Sequence, residues 1–189
     1  MTSYTTSKIF IIGGTGAQGI PVVQALVADK KYTVRILTRD TTSERAKSLV
    51  ALGNVELLEG SLANEATLKA GYAGCDGAFI NIDGFNTGEK NEIYWGIRCY
   101  ELALQAGIKF FVWGNLDYLS KKAGFDPKVR AGHYDGKGRV GEWILFQNKT
   151  FQTKMGAALF TTGPYIEMVI SKGTISRLFS CKKGISWYI

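Results

Sequence analysis

The chain has few of the residues that build cross-links or metal sites. Its 189 residues include one histidine and three cysteines, and Cys75, Cys99 and Cys181 are odd in number and form no CxxC pair. A disulfide framework or a zinc site needs paired or clustered ligands. The sequence therefore predicts free thiols and no bound metal.

Long apolar runs and a secretory leader are also missing. No hydrophobic stretch approaches the roughly 20 residues that cross a bilayer. Residues 1–8 are rich in serine and threonine and lack the long apolar core of a signal peptide. We therefore expect a soluble cytoplasmic protein without membrane contact, and a nuclear location is also compatible with the sequence.

The charge is unbalanced, with a net value of +7. Such an excess can indicate a nucleic-acid partner, because phosphate contacts dominate that kind of binding. The basic residues are mostly dispersed, however, and the one loose cluster consists of Lys172, Arg177, Lys182 and Lys183. Since no zinc-finger or RNA-recognition pattern accompanies it, we expect no direct nucleic-acid binding.

Proline is scarce and glycine abundant, and the glycines gather where predicted elements end. Short β-branched runs alternate with longer amphipathic stretches, which is typical of a parallel sheet with crossover helices. The predicted strands are 9–12, 33–38, 55–58, 77–81, 109–113 and 157–162, and the predicted helices are 20–28, 43–52, 64–71, 89–106 and 138–146. The sequence therefore predicts a single α/β domain over residues 1–189, with a doubly wound parallel sheet of the NAD(P)-binding Rossmann type over about 7–165.

The strongest functional signal is the turn between the first predicted strand and helix. In such a turn one glycine permits the tight bend, another lets the backbone approach a pyrophosphate, and the last lets the helix pack on the strand. The helix N-terminus adds free N–H groups that favour phosphate. A dinucleotide site is therefore predicted at Gly13, Gly14, Thr15, Gly16, Ala17, Gln18 and Gly19.

Arg39 follows this turn by twenty residues, at the end of the second predicted strand. An acidic side chain in this place holds the ribose hydroxyl of NAD, whereas an arginine accepts the 2′-phosphate of NADP. The sequence therefore favours NADP. Asp40 leaves NAD as an alternative, because its carboxylate could turn inward and bind the ribose.

Four segments together resemble the NmrA-like proteins, an atypical branch of the short-chain dehydrogenase/reductase superfamily: IFIIGGTGAQG, VRILTRD, AGIKFFVWGNLDY and GHYDGKGRVGEW. The resemblance runs from Lys8 to about Met168. It implies a Rossmann domain that binds NADP(H) or NAD(P), followed by a smaller C-terminal lobe. Some members are reductases, and others act as redox-sensing regulators that bind transcription factors or metabolic enzymes.

The resemblance also implies roles for residues beyond the glycine turn. Ile82 and Asp83 would lie along the cofactor, and Lys137 would reach the nicotinamide ribose. Tyr165 and Glu167 would flank the nicotinamide. Ser61 stands where many relatives have an aspartate, so the adenine contact of that position is not carried over.

The usual catalytic pair of the superfamily is incomplete. It is a Tyr-x-x-x-Lys string in which the lysine assists proton exchange by the phenol. His133 stands in the tyrosine's place before Lys137, and these two residues are the catalytic candidates. Tyr134 is one position off, which turns it by about 100° on a helix. Tyr118 and Lys122 repeat the spacing, but the sequence there does not favour a helix, so we interpret this string as coincidental.

Two functions remain open at this point. Three features favour a cofactor-sensing regulator. They are the missing tyrosine, the missing serine after the fifth predicted strand, and a short divergent tail at 166–189 in place of the relatives' larger lobe. Such a protein would act on a protein partner, or self-associate, through Tyr165 to Ile189. The alternative is an NADPH-dependent reductase of a small molecule with a non-standard acid–base group.

Overall fold

The computed structural model of the protein describes residues 7–151 and 154–163. In these residues the strands are β1 (Ser7–Ile12), β2 (Tyr32–Thr38), β3 (Val55–Glu59), β4 (Gly77–Ile80), β5 (Phe110–Asn115) and β6 (Gly156–Thr161). The helices are α1 (Gly19–Ala28), α2 (Glu44–Val50), α3 (Glu65–Tyr72), α4 (Gly84–Thr87), α5 (Glu89–Gln105), α6 (Leu119–Lys122) and α7 (Gly132–Phe151), with a 3-10 turn at Pro127–Val129.

The six strands form one sheet in the order β3-β2-β1-β4-β5-β6, and every neighbouring pair is parallel. β1 lies at the centre, where Ile9 pairs with Val34 on one side and with Gly77 on the other. The chain therefore reverses its direction of winding between β1 and β4. This arrangement confirms the predicted doubly wound sheet and places a ligand crevice at the carboxyl ends of these two strands.

The core has two layers, one on each face of the sheet. Phe10 and Ile12 of β1 point into the layer beneath α3, α5 and α7, whereas Ile11 points into the layer beneath α1 and α2. Successive residues of a strand face opposite sides, so a strand buried on both faces is a continuous apolar run. β1 is such a run, which is why its position was predictable.

The helix predicted at 138–146 is longer than expected and begins at Gly132. Glycine lowers helix propensity, and the glycines at its start hid this first part. They are required by packing: a Cβ on Gly138 would lie 2.4 Å from the Tyr118 Cα, and one on Gly141 would lie 2.5 Å from the Asn115 Oδ1. Tertiary contacts therefore hold a helix that local propensity disfavours.

Two helices of four residues each, α4 and α6, were not predicted. The carboxylate of Asp83 caps α4 by accepting hydrogen bonds from the backbone N–H groups of Phe85 and Asn86. The carboxylate of Asp135 in α7 accepts hydrogen bonds from the backbone N–H and the hydroxyl of Ser120 in α6, at 2.8 and 2.6 Å. One carboxylate thus stabilises each of these helices, which are too short to show a periodic hydrophobic pattern.

The thiols of Cys75 and Cys99 are free and buried in the core. Burial raises the pKa of the Cys99 thiol to about 12. Among residues 7–151 and 154–163, no helix is both long and apolar enough to cross a membrane.

Candidate functional site

The glycine turn joins β1 to α1 at the centre of the sheet edge. Gly13 has a φ of +81°, and a Cβ there would lie 2.4 Å from the carbonyl oxygen of Asn81. The backbone N–H of Gly16 donates to the Gly13 carbonyl at 3.0 Å, which closes the turn. Among the described residues, no side chain caps the start of α1. The Ile20 N–H donates to the Gly16 carbonyl at 3.0 Å and Pro21 has no N–H, so the N–H groups that the helix start can offer to an anion are those of Gln18 and Gly19.

The seven residues of the turn divide into two groups. Gly13, Thr15, Gly16, Ala17 and Gln18 line the cavities described below. Gly14 and Gly19 are buried behind them and do not line either cavity. A Cβ on Gly14 would lie 2.7 Å from the Ile36 side chain, and one on Gly19 would lie 2.1 Å from the Gly13 carbonyl oxygen. These two glycines shape the turn by allowing close packing.

Gly19→Ala tests this division. The added methyl group cannot fit against the Gly13 carbonyl, so α1 must shift away from the turn, and we expect a loss of about 1–3 kcal/mol in unfolding free energy. Dinucleotide affinity should fall with it, measured by calorimetric titration. Gly74→Ala is the control, because Gly74 has a φ of +70° with open space around it. That variant should lose stability and keep its affinity.

The first cavity, here called the arginine cavity, has a volume of about 780 Å³ and lies at the ends of β1, β2 and β3. Its lining includes Thr15, Arg39, Arg45, Ser61 and Trp95. Arg39 is exposed, so its guanidinium is accessible to a ligand. No motif in the sequence indicates Arg45 and Trp95, which lie on α2 and α5 and reach the cavity only through the packing of these helices. Two guanidinium groups make this cavity suited to a phosphate.

Asp40 also lines the arginine cavity, beside Arg39. Its carboxylate accepts hydrogen bonds from the backbone N–H and the hydroxyl of Thr42, at 2.8 and 2.6 Å. These bonds from Thr42 lower the pKa of the Asp40 carboxyl. Oδ1 of this carboxylate therefore stabilises the turn before α2, and both Arg39 and Asp40 remain exposed at the arginine cavity.

The second cavity, here called the aromatic cavity, has a volume of about 440 Å³ and lies beyond β4 and β5. Phe85, His133 and Tyr134 form one wall, and Asn115 and Lys137 also line it. It shares five lining residues with the arginine cavity: Gly13, Gly16, Asn81, Ile82 and Asp83. The two cavities therefore form one cleft that passes over the glycine turn, and the predicted residues Ile82 and Asp83 lie at its middle.

Lys137 lies in α7 and is buried at the edge of the aromatic cavity. Its ammonium donates to the carbonyl of Ile82 at 2.7 Å and to Oδ1 of Asn81 at 3.1 Å, and it lies 2.8 Å from Oε1 of Glu92. It also lies 5.2 Å from the ring centroid of Trp113. The ammonium group is therefore fixed at the floor of the cleft by three oxygen atoms.

The stacked pair Phe85 and His133 forms part of the aromatic wall. Their ring centroids are 4.3 Å apart with an interplanar angle of 33°, and Phe85 is 79% exposed. Partial burial, and then the charge of Lys137, lower the pKa of His133. A lowered pKa favours the neutral imidazole at neutral pH. His133 and Lys137, the two catalytic candidates from the sequence, both line this cavity.

Tyr134 lines the aromatic cavity together with Lys137. Because α7 begins at Gly132, the two residues are separated by three positions on one helix and share a face. The turn of about 100° that the single-residue offset implies still leaves Tyr134 at the cavity. This phenol is a candidate group that sequence spacing alone rejected.

Tyr118 and Lys122 lie at the two ends of α6 and do not line either of the described cavities. The Tyr118 hydroxyl accepts a hydrogen bond from Arg139 at 3.0 Å, and the Lys122 ammonium pairs with Asp117 at 2.7 Å. Both side chains of this Tyr-x-x-x-Lys string are thus engaged in contacts outside the two cavities.

Asn115 is the last residue of β5, where the resemblance implied a serine. It donates a hydrogen bond to the Thr161 hydroxyl at 3.0 Å, which ties β5 to β6 beside the aromatic cavity. Tyr165, Glu167, the tail 166–189 and the interaction surface predicted there lie outside the described residues.

The fold defines the class of this protein: it is a Rossmann-fold protein with a cleft at the switch between β1 and β4. The family model of the NmrA-like family matches residues 5–169, and the chain belongs to that family.

Two curated relatives illustrate the sequence similarity. The NmrA-like family domain-containing oxidoreductase malD of Malbranchea aurantiaca is 32% identical over 152 residues, which cover 77% of this chain and 44% of that protein. An NmrA-like family domain-containing protein of Dictyostelium discoideum is 34% identical over 146 residues, covering 77% and 47%. The chain thus spans about half the length of the curated relatives it matches.

The solved structure of NmrA, a negative transcriptional regulator, in complex with NADP has a TM-score of 0.64 to this chain at 21% identity. The match covers 85% of this chain and 47% of that one. This similarity supports the fold.

Proposed function

We propose that the chain binds NADP(H) in the cleft and reduces a small organic molecule held in the aromatic cavity. The observation that carries this proposal is the cavity itself, which is continuous with the glycine turn and has Tyr134 and Lys137 on its wall. The reductase was the second choice from the sequence. It becomes the first because a phenol and a lysine share the cavity.

The residues of the cleft suit the cofactor. The space that Gly13 leaves open and the uncapped start of α1 suit a pyrophosphate, and Arg39 suits the 2′-phosphate. Lys137 would hold the ribose next to the nicotinamide by exchanging its contact with Asn81 Oδ1, the longest of its three, for a ribose oxygen. Bound NADPH would supply the hydride. NmrA has been solved in complexes with NADP and with NAD, which supports a nicotinamide dinucleotide as the ligand class.

The chain's own residues would hold the substrate and provide its proton. The Tyr134 phenol is the proton donor in this proposal, since His133 has a lowered pKa. Lys137 lies three residues further along α7, on the same face, and lines the same cavity. The exposed ring of Phe85, stacked on His133, suits a flat and uncharged molecule.

A turnover assay tests the proposal. NADPH absorbance should fall when the protein meets a panel of aromatic aldehydes, ketones and quinones. Tyr134→Phe should lower kcat by about 100-fold or more, as expected for loss of a general acid. His133→Ala should have a much smaller effect, and NADPH affinity should stay unchanged in Tyr134→Phe. Equal kcat in the wild type and Tyr134→Phe would refute the assigned proton donor.

The second candidate is a cofactor-sensing regulator that acts on a protein partner. It is favoured by one observation: the position four residues before Lys137 carries a histidine with a lowered pKa in place of the superfamily's tyrosine. Different affinities for NADP⁺ and NADPH, combined with no turnover on the panel, would support the regulator over the reductase.

A further inference from the structure

The carboxylate of Glu92 lies directly behind the cleft. Glu92 belongs to α5 and is 0% exposed. Its Oε1 lies 2.8 Å from the Lys137 ammonium, and its Oε2 has no hydrogen-bond partner among the described residues. A buried charge is costly unless it is paired. The pair with Lys137 is thus what makes this buried carboxylate tolerable.

Two segments of the chain leave room for this carboxylate. A Cβ on Gly84, the first residue of α4, would lie 2.2 Å from Oε2 of Glu92. A Cβ on Gly136, next to Lys137 in α7, would lie 3.1 Å from the same atom. The glycines at these two places let α4, α5 and α7 meet around one carboxylate. Such close packing of three helices indicates that the pair of Glu92 and Lys137 has a specific arrangement.

The hydrogen-bonding capacity of Lys137 supports a positioning role. An ammonium group has three N–H donors, and three oxygen atoms surround this one: Glu92 Oε1, Ile82 O and Asn81 Oδ1. Ile82 and Asn81 lie in the cleft itself, whereas Glu92 is the one charged partner and approaches from behind. The carboxylate therefore sets the position of the ammonium relative to the cleft.

We propose that Glu92 is a positioning residue that holds Lys137 in place for the nicotinamide half of the dinucleotide. This inference rests on the proposed cofactor binding. Glu92 does not line the cleft, so it acts only through Lys137. Removing the charge of Glu92 should weaken the binding of ligands that reach Lys137. The affinity for ligands that stop at the arginine cavity should stay unchanged.

Two ligands separate these cases: NADPH, which spans the cleft, and adenosine 2′,5′-bisphosphate, which lacks the nicotinamide half. Glu92→Gln should lower the affinity for NADPH by about tenfold, as expected for the loss of one charged hydrogen bond. The affinity for the bisphosphate should change by less than about twofold. Glu101→Gln is the matched control, since Glu101 lies on the same helix and pairs with Arg98 at 2.8 Å. It should change neither affinity.

A double variant distinguishes positioning from a general structural effect. In a Lys137→Met background, Glu92→Gln should cause no further loss of NADPH affinity, because the residue through which Glu92 acts is gone. A further tenfold loss in that background, or equal losses for both ligands, would overturn the proposal. If Glu92→Gln does not fold, Glu92→Asp keeps the charge and withdraws it by one methylene, and the same split between the two ligands is expected.

A measurement without cofactor separates this inference from the proposed function. If the wild type bound neither ligand, cofactor binding would be refuted. The positioning of Lys137 would still be measurable as acylation of its amine in the unliganded protein, by mass spectrometry. Glu92→Gln should raise acylation at Lys137 relative to Lys121, whose partner Glu142 is unchanged. An unchanged ratio would count against Glu92 as the positioning residue.

Discussion

Arg39→Ala should lower the affinity for NADP by roughly ten- to a hundredfold and leave NAD binding nearly unchanged. A hydrogen bond to a charged group contributes about 1.5–3 kcal/mol, and about 1.4 kcal/mol corresponds to a factor of ten. Arg39 is exposed at the arginine cavity, and the Asp40 carboxylate is bonded to Thr42. Only NADP carries the phosphate that the guanidinium would contact. Titration calorimetry with both dinucleotides measures the difference.

The control for this experiment is Lys47→Ala. Lys47 lies on α2, pairs with Glu44 at 3.3 Å and does not line the arginine cavity. Its loss changes the net charge by the same amount, so it corrects for long-range attraction of an anionic ligand. Tighter binding of NAD than NADP by the wild type, or equal losses for both in Arg39→Ala, would show that Arg39 does not select the cofactor.

Lys137→Ala should be the most destabilising of the substitutions considered, with a loss of about 3–5 kcal/mol in unfolding free energy. The reason is that Glu92, 0% exposed, would keep a buried charge without its partner. Denaturant unfolding at neutral pH measures this loss. Lys121→Ala is the control, because its pair with Glu142 is exposed and such pairs contribute about 0.2–1 kcal/mol.

The loss in Lys137→Ala should depend on pH, and the sign follows from Glu92. Burial raises the pKa of the Glu92 carboxyl in the folded protein, and Lys137 opposes this shift. A group with a raised folded pKa stabilises the fold at low pH and loses this contribution as pH rises through that pKa. The deficit relative to the wild type should therefore be smallest near the ordinary glutamate value of about 4.3 and grow towards neutral pH. A deficit independent of pH would contradict the buried charge as its cause.

The sheet could be predicted because its signals are local. Ile9 to Ile12 form a continuous apolar run that ends directly in glycines, which together indicate a buried strand and a tight turn. Arg39 was predictable for a similar reason, since its distance from the turn is set by one helix and one strand. These features depend on short stretches of chain.

The aromatic cavity could not be predicted in the same way. Phe85 lies in a four-residue helix, and its stacking with His133 joins segments that are far apart in sequence. Glu92 stands among other charged residues at the start of α5, and nothing in that pattern distinguishes a buried carboxylate from an exposed one. Only the packing of α4, α5 and α7 shows which charges are buried together.

The order of synthesis determines when the floor of the cleft can form. The glycine turn follows β1, but Gly13 lies against the carbonyl of Asn81, which follows β4. A nascent chain that has emerged only through β3 carries the complete glycine sequence and the Arg39 side chain without the surface on which the turn rests. Parallel pairing of β1 with β4 is a long-range contact that forms late. The cleft over the glycine turn is therefore complete only when the fourth strand has left the ribosome and joined the sheet.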